Sequence, residues 1–347
     1  MALAPYPWLE GAAAAFAAQK DRLPNALLIY GAPGTGLYEL ADAFARSLLC
    51  ESPQPDGAAC GRCAACALMA AGTHPDLKRV LSQAMCERYG VPYEPAENER
   101  VDQKKKLSRE VRIHQIRALE DFVGLNASRG GRRVIIVYPA DMVRAEAAAA
   151  LLKSMEEPPK DLIYILAAED IDAVLPTIRS RSRLLRVPVP PKDVALAFLK
   201  SRRVKNPEEA LALAGGAPLE ALERNLDERL EPKVENAVLG LLEAGSALTA
   251  EAILVAAPRD YSVPAFALLL ARWTHDLMRV KSGLPPRYFI SRAPALSRLA
   301  QGVPVDRIIE LDKAVAGVRR AASHPLNAKQ VWEAALMQCA ALMKPVR

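Results

Sequence analysis

The chain has 347 residues, of which 51% are hydrophobic and 25% charged, and its formal net charge is +6. This balance is typical of a globular protein with two or three domains and a sizeable core. No apolar run reaches the roughly 18 residues of a membrane-spanning helix, and residues 1–10 lack the basic segment of a secretory signal. We therefore expect a cytoplasmic protein without a membrane partner. The basic charge is compatible with a nucleic-acid partner but does not indicate one.

A glycine-rich loop lies near the start of the chain, between an apolar segment and a helical pattern. Residues 26–30 have the composition of a buried strand, and residues 39–49 have the apolar spacing of a helix. A strand, a glycine loop and a helix in this order are the context of a phosphate-binding loop, whose pattern is G-x-x-x-x-G-K-[ST]. Gly31, Gly34 and Gly36 supply glycines at the required offsets.

The chemical groups of a phosphate-binding loop are missing from this one. Leu37 stands at the lysine position, so the loop offers no cation to the β- and γ-phosphates. Tyr38 stands at the position of the small hydroxyl that ligates Mg²⁺, where its ring is too bulky. We therefore predict a degenerate nucleotide site. The alternative is a glycine turn that joins a strand to a helix and binds nothing.

Four cysteines follow the loop helix at spacings typical of a structural zinc site. Cys50, Cys60, Cys63 and Cys66 give C-x9-C-x2-C-x2-C, and Gly61 allows a tight turn beside the second of them. Disulfides are not expected in a cytosolic chain, and no thioredoxin-like unit surrounds the C-x2-C pairs. All four ligands would come from the protein, so the predicted zinc is structural rather than catalytic. The remaining two cysteines are isolated and are expected to be free thiols: Cys86 and Cys339.

The region after the cysteines carries weaker signals. His74, in the sequence His-Pro-Asp, is expected in a turn or cap rather than on a metal, because four cysteines already suffice. Residues 82–110 are polar and are predicted to form an inserted flexible loop, with the lysine run 104–106 as a solvated face. Residues 111–123 have helical spacing, and residues 129–133 are expected to form a basic turn.

Two further apolar segments complete the pattern of a parallel sheet. Residues 134–137 and 163–166 are predicted to be buried strands, and residues 146–155 a helix between them. In a phosphate-loop ATPase the first of these strands ends in an acidic pair that holds Mg²⁺ and polarises the attacking water. Here Tyr138 and Pro139 occupy those positions. The second set of groups needed for hydrolysis is therefore also missing.

Beyond residue 188 the sequence has no convincing strand. Residues 188–232 are predicted to form a small helical domain, with Gly215-Gly216 as a break. Residues 233–347 are predicted to form several long, alanine- and leucine-rich helices with prolines between them. We therefore expect an α/β domain over residues 1–187, which includes the cysteine module, and two helical domains after it.

Several stretches of the chain resemble AAA+ clamp-loader subunits of bacterial DNA polymerase III. They are Tyr6-Pro7-Trp8-Leu9, residues 23–28, the cysteine module with its His-Pro-Asp triplet, Ala150 to Pro159, residues 177–182, and Asn327 to Ala334. The resemblance spans nearly the whole chain, with Asn25 in place of a usual histidine and Ser182 in place of a cysteine. It implies an AAA+ α/β domain with a zinc module, a small helical lid, and an all-α collar that holds a hetero-oligomer.

The same resemblance implies a function. ATP-hydrolysing members keep the loop lysine, the acidic pair and a sensor arginine in the lid, where this chain has Leu219 or Glu220. A member without these groups is a stator: it is not an enzyme by itself, but belongs to the DNA polymerase III holoenzyme. Its partners would be the gamma/tau ATPase subunits and the delta subunit, and through the complex the sliding clamp and primer–template DNA.

Arg181 matches the arginine of the family's Ser-Arg-Cys motif. In the family this arginine reaches a neighbouring subunit's nucleotide, as an arginine finger supplied in trans. Guanidinium suits this role because it is always charged and presents a planar fork of donors. The alternative is that Arg181 only solvates a basic turn.

Two other functions stay open at this point. One is an ATP-hydrolysing AAA+ clamp-loader subunit with an atypical loop, since backbone amides alone can hold phosphates. The other is a zinc-bearing DNA-binding protein that acts alone, which the basic charge allows although no recognition-helix signature is present. The favoured prediction is structural zinc as the cofactor and no ATP hydrolysis by the chain.

Overall fold

A computed structural model describes residues 2–96, 107–129, 131–222, 230–258, 260–322 and 327–344. The chain forms two compact units, Met1–Val194 and Ala195–Arg347. None of the helices in the described ranges is both long enough and apolar enough to cross a membrane. The finer division of the second unit into a lid and a collar stays a prediction.

The first unit contains five strands among its helices. In chain order its elements are α1 (Glu10–Ala17), β1 (Ala26–Gly31), α2 (Leu37–Leu49), α3 (Ala64–Ala70), β2 (Leu77–Leu81), α4 (Gln83–Tyr89), α5 (Ile113–Arg117), α6 (Glu120–Gly124), β3 (Arg133–Tyr138), α7 (Ala145–Glu156), β4 (Leu162–Ala168), α8 (Pro176–Ser180) and β5 (Arg183–Val187). Short 3₁₀ turns cover Pro7–Leu9, Lys20–Arg22 and Ala140–Met142.

The five strands form one parallel sheet in the order β2-β3-β4-β1-β5. Leu28 of β1 lies opposite Leu166 of β4. Every residue of β3 and β4 is buried, which explains why both segments are continuous apolar runs. The predicted strands at 134–137 and 163–166 are therefore confirmed. Because the strands are parallel, the glycine loop, Tyr138 and Ala168 all lie at the carboxyl edge of the sheet.

Helices cover the sheet on its faces. α5 and α7 pack in one apolar cluster with Ile135, Tyr164 and Leu166, which alternate along β3 and β4 and so share a face. α2 contacts β1, β3 and β4. This helix is amphipathic, and Leu40 and Phe44 on its apolar face are completely buried. The predicted helices at 39–49 and 146–155 are thus confirmed, and they cover the inner strands of the sheet.

Three predictions about this unit are correct only in part. Part of the predicted loop at 82–110 is the helix α4, while the lysine run 104–106 lies outside the described residues. The predicted helix at 111–123 is divided into α5 and α6. The predicted basic turn at 129–133 ends inside β3, since Arg133 is the first residue of that strand and its side chain is only 1% exposed.

Arg133 is buried because its charge and donors are satisfied within the fold. Its Nε and Nη2 atoms donate to the two carboxylate oxygens of Asp161 at 2.7 and 2.9 Å. Its Nη1 atom donates to the carbonyl oxygens of Phe122 and Val123. A buried guanidinium is tolerated only with such partners. Arg133 therefore joins β3 to the segment before β4 and to α6.

Helices are the regular secondary structure of the second unit within its described residues, and loops join them. Its elements are α9 (Lys192–Ser201, which begins before the boundary), α10 (Pro207–Leu213), α11 (Pro218–Leu222), α12 (Pro232–Glu243), α13 (Ala250–Val255), α14 (Val263–Lys281), α15 (Ala293–Gly302), α16 (Val305–Ala321) and α17 (Ala328–Leu342). Short 3₁₀ turns cover Gly245–Ala247 and Ile290–Arg292. The prediction of no strand beyond residue 188 is confirmed for these residues.

Two apolar clusters lie within this unit. The smaller one joins α9, α10 and α11 through Leu199, Leu211 and Ala221. The larger one is built on α12 to α17 around the fully buried Trp273 and Trp332. Gly215 and Gly216 follow α10 at φ +67° and +94°, values that favour glycine, so the predicted break at this point is confirmed.

A buried carboxylate organises the loop after α14. Asp276 is completely buried and accepts hydrogen bonds from the backbone amides of Arg287, Tyr288 and Phe289 at 2.7 to 2.8 Å. The guanidinium of Arg287 in turn donates to the carbonyl oxygen of Gly215 at 3.0 Å. One carboxylate thus fixes a loop that contacts the turn between α10 and α11.

Candidate functional site

The glycine loop after β1 has a backbone that requires its glycines. Gly34 and Gly36 have φ values of +70° and +90°, which side-chain-bearing residues rarely adopt. A Cβ atom on Gly36 would lie 2.9 Å from the Tyr6 ring, and one on Gly31 would lie 2.5 Å from the carbonyl oxygen of Val187. The three glycines are therefore explained by backbone conformation and close packing, and they shape a turn that opens α2.

The loop is closed by contacts within the protein. Thr35 is fully buried, and its hydroxyl donates to the carbonyl oxygen of Ala32 at 2.7 Å. The indole Nε1 of Trp8 donates to the carbonyl oxygen of Thr35 at 2.8 Å. Trp8 also stacks on Tyr6, with ring centroids 4.9 Å apart. The segment before α1 therefore packs directly against the glycine loop.

The two residues at the lysine and hydroxyl positions are part of the core. Leu37 is 2% exposed and Tyr38 is 6% exposed. The Tyr38 ring packs against Tyr89 and Tyr138, with centroids 4.1 and 5.9 Å away. Burial raises the pKa of Tyr38 to about 12, so its hydroxyl is neutral at physiological pH. A buried leucine and three packed phenol rings offer neither a cation for phosphates nor a ligand for Mg²⁺.

A tyrosine with partners inside the protein stands where the strand of an ATPase ends in an acidic pair. Tyr138 is the last residue of β3, and its hydroxyl donates to Oε1 of Glu169 at 2.6 Å. The other oxygen of Glu169 accepts from Nη2 of Arg109 at 3.1 Å, and the Glu169 amide donates to Asp141 at 2.9 Å. Glu169 was not predicted as a site residue, although it directly follows β4 at the carboxyl edge. Its carboxylate is already bound to a phenol and a guanidinium.

The four cysteines converge as predicted. Their Sγ atoms all lie within 4.8 Å of one another. The separations are 3.9 Å for Cys50–Cys63, 3.9 Å for Cys60–Cys66 and 3.7 Å for Cys50–Cys66. Four thiolates at about 2.3 Å from one zinc ion form a tetrahedron with edges of about 3.8 Å. The cluster therefore has the size and the donor set of a closed tetrahedral metal site.

Backbone amides around the cysteines favour thiolates. The amides of Arg62 and Cys63 point at the Sγ atom of Cys60 from 3.5 and 3.4 Å. These two amides lower the pKa of Cys60 to about 6. Gly61 has φ +76°, which allows the tight turn predicted there. Burial raises the pKa of Cys66 to about 12, so binding of a metal ion has to displace its proton.

His74 lies outside the cysteine cluster. Its side chain is buried, and its Nδ1 atom accepts a hydrogen bond from the Asp76 amide at 3.1 Å. The carboxylate of Asp76 accepts from the amides of Ser128 and Arg129. The predicted turn role of His74 is confirmed, and the His-Pro-Asp triplet connects the cysteine module to the start of β3.

Arg181 directly follows the short helix α8. Its side chain is 38% exposed. Its Nη2 atom lies 2.8 Å from Oε1 of Glu156, and its Nη1 atom donates to the carbonyl oxygen of Thr177 at 3.2 Å. Ser182, which replaces the motif's cysteine, donates to the carbonyl oxygen of Ile178 at 2.8 Å, so the serine fits the local packing. The finger role of Arg181 itself stays a prediction.

Comparison with known proteins decides the family. Residues 13–191, more than half of the chain, match the family model described as DNA polymerase III, delta subunit. The chain belongs to this family. It is 38% identical over 220 residues to DNA polymerase III subunit delta' of Pseudomonas aeruginosa and 35% identical over 225 residues to that of Escherichia coli. Each match covers 62% of this chain, and the chain spans about 60% of the length of these relatives.

Among solved structures, the alignment with a DNA polymerase III gamma subunit-related protein from Thermotoga maritima covers 95% of this chain and 99% of the Thermotoga chain. The TM-score is 0.46 and the sequence identity 18%, a similarity too low to place individual residues. The predicted resemblance to DNA polymerase III clamp-loader subunits is nevertheless confirmed by the family match and by the delta' relatives.

Proposed function

We propose that this family member is the non-hydrolysing stator of a DNA polymerase III clamp loader in the cytoplasm. It would assemble with gamma/tau ATPase subunits and a delta subunit, and would help to load a sliding clamp onto primed DNA. The AAA+ domain, lid and collar would each contribute to this hetero-oligomer. The delta' relatives and the family match support the assignment to the clamp loader.

The observation that best supports the stator role is that buried side chains of the protein stand at the positions of the nucleotide-binding groups. Phosphoryl transfer depends on cations that neutralise the β- and γ-phosphates and on a positioned water. Leu37 and Tyr38 are buried where the loop would supply a cation and a metal ligand. Tyr138 stands where the strand would supply an acid, and its hydroxyl binds Glu169. Within the part of the chain that the structure describes, these contacts support a subunit that does not hydrolyse ATP in cis.

The isolated chain is expected to show no ATP hydrolysis above that of a heat-treated sample. Calorimetry with Mg·ATP provides the second measurement, because backbone amides alone could hold phosphates without turnover. Turnover by the pure chain that is abolished by Gly36→Ala would show an atypical ATPase and would exclude the stator. Tight, steeply salt-dependent binding of the monomer to primed DNA would instead favour a DNA-binding protein that acts alone.

Arg181 is proposed to act on a neighbour's nucleotide. A guanidinium delivered to the γ-phosphate in trans stabilises charge in the transition state and accelerates turnover about 10³-fold or more. We expect Arg181→Ala to remove that contribution at the one ATPase site it faces, and so to lower ATP turnover by the reconstituted complex. Arg183→Ala, a nearby exposed arginine on β5, is the matched control. Unchanged turnover with Arg181→Ala would remove the finger role.

The metal proposed for the cysteine cluster is structural zinc. The sulfur separations fit a tetrahedral zinc–thiolate site, and all four donors belong to the protein. Bound zinc would cross-link the end of α2 to the start of α3, through Cys50 and Cys66. No role in the chemistry of nucleotides follows from this site.

A further inference from the structure

We infer that Glu156 is a positioning residue for Arg181, an inference that rests on the finger role proposed above. Glu156 is the last residue of α7, and Arg181 follows the last residue of α8. The two helices are in contact. The carboxylate Oε1 of Glu156 lies 2.8 Å from Nη2 of Arg181, which joins the ends of the two helices.

The contacts of Arg181 orient its guanidinium plane. Nη2 is held by the Glu156 carboxylate, and Nη1 is held by the carbonyl oxygen of Thr177. These contacts use two of the five N–H donors of a guanidinium, which leaves three for an incoming ligand. The side chain of Arg181 is still 38% exposed, so the remaining donors are accessible to solvent. An anion can therefore bind without displacing either contact.

The ion pair between Glu156 and Arg181 can orient the guanidinium but cannot keep it from binding a phosphate. The Glu156 side chain is 53% exposed, and exposed ion pairs contribute little net free energy. A phosphate group carries more negative charge than one carboxylate and binds guanidinium with two parallel hydrogen bonds. Glu156 is thus too weak a competitor to hold Arg181 away from a phosphate. It does restrict the rotamers of a long side chain, whose orientation matters for catalysis.

The next residue provides a matched control. Glu157 follows Glu156 directly, is exposed, and has a non-helical backbone at the end of α7. It belongs to no ion pair within the part of the chain that the structure describes. Glu156→Gln and Glu157→Gln therefore change the net charge equally at adjacent positions. Only the first removes the carboxylate that contacts Arg181.

The test measures ATP turnover by the full complex, reconstituted with its ATPase and delta subunits. Glu156→Gln is expected to lower kcat about three- to tenfold and to leave the KM for ATP unchanged. Glu157→Gln is expected to match the wild type. In the background of Arg181→Ala, Glu156→Gln should cause no further loss, since the residue acts only through Arg181. Complex assembly, measured by mass, should be the same for all variants.

The possible outcomes separate this inference from the proposed function. If Arg181→Ala slows turnover but Glu156→Gln does not, the positioning role is wrong while the finger role stands. Faster turnover with Glu156→Gln would mean that the carboxylate sequesters the arginine, which also overturns positioning. A further loss caused by Glu156→Gln in the Arg181→Ala background would assign Glu156 a different role. If Arg181→Ala itself has no effect, the finger role fails and the inference fails with it.

Discussion

Asp161→Asn is expected to destabilise the first unit because it removes the charge partner of a buried arginine. Asp161 accepts from Nε and Nη2 of Arg133, whose side chain is 1% exposed. Asparagine has nearly the same size, but only one of its two terminal atoms accepts a hydrogen bond, and the other is a donor. The substitution therefore leaves a buried guanidinium uncompensated and places an N–H donor against another.

The magnitude follows from the burial of the two side chains. Removing one partner of a fully buried ion pair costs roughly 3 to 5 kcal/mol. Here Asp161 is 28% exposed, so water can reach part of the vacated position. The carbonyl oxygens of Phe122 and Val123 also keep their bonds to Arg133. We therefore expect a loss of about 2 to 3 kcal/mol in the free energy of unfolding at pH 7.

The assay is urea denaturation, combined with hydrogen exchange of the β3 amides because the chain has two units. The Arg133 guanidinium holds the pKa of Asp161 below its ordinary value. A carboxyl with a lowered folded-state pKa stabilises the fold above its unfolded pKa of about 3.9 and loses this effect as the pH falls through the folded value. The difference between wild type and Asp161→Asn should therefore be complete at pH 7 and should shrink below about pH 4.

The control for this prediction is an exposed pair of the same chemistry. Asp172 lies 3.5 Å from Arg179, and its side chain is 86% exposed. Asp172→Asn should change stability by less than about 1 kcal/mol. The reasoning is refuted if Asp161→Asn costs no more than Asp172→Asn at pH 7, or if its cost is the same at pH 7 and in acid.

Two further predictions concern the cysteine module and the second unit. Purified protein should contain one zinc ion per chain by elemental analysis. Cys63→Ser should lose both the metal and the hydrogen-exchange protection of α3. Protein that is folded and metal-free after purification would contradict this prediction. Asp276→Asn should lower the free energy of unfolding of the second unit by about 2 to 4 kcal/mol, since asparagine cannot accept all three amide hydrogen bonds. Asp312→Asn, at an exposed position of α16 in the same unit, is the comparison, and an equal effect would disprove the anchoring role.

The features that the sequence predicted well depend on local patterns. The glycine loop lies between a buried strand and an amphipathic helix, and each of these has its own periodicity. The cysteine cluster is predictable because four ligands close together in the chain need only short turns to reach one metal ion. β3 and β4 are continuous apolar runs, since both of their faces are covered.

The features that were missed depend on partners far away in the chain. β5 is an edge strand with exposed Arg183 and Leu184, so its sequence has neither an apolar run nor an alternation. A basic residue such as Arg133 is normally exposed, and its burial depends on a carboxylate 28 positions away and on two backbone carbonyl oxygens of α6. The predicted strand at 163–166 ends two residues before the end of β4 at Ala168. Glu169, which follows β4 directly, was therefore not predicted at the carboxyl edge of the sheet.

Trp8 offers a direct way to observe the glycine loop. It is one of three tryptophans in the chain, and the other two, Trp273 and Trp332, belong to the second unit. Its indole N–H is bonded to the backbone of Thr35, inside the loop. Because indole emission responds to such hydrogen bonds, a chain that keeps Trp8 and carries phenylalanine at the other two positions would report optically on any rearrangement of the loop. Titration of that chain with nucleotides would then require no label.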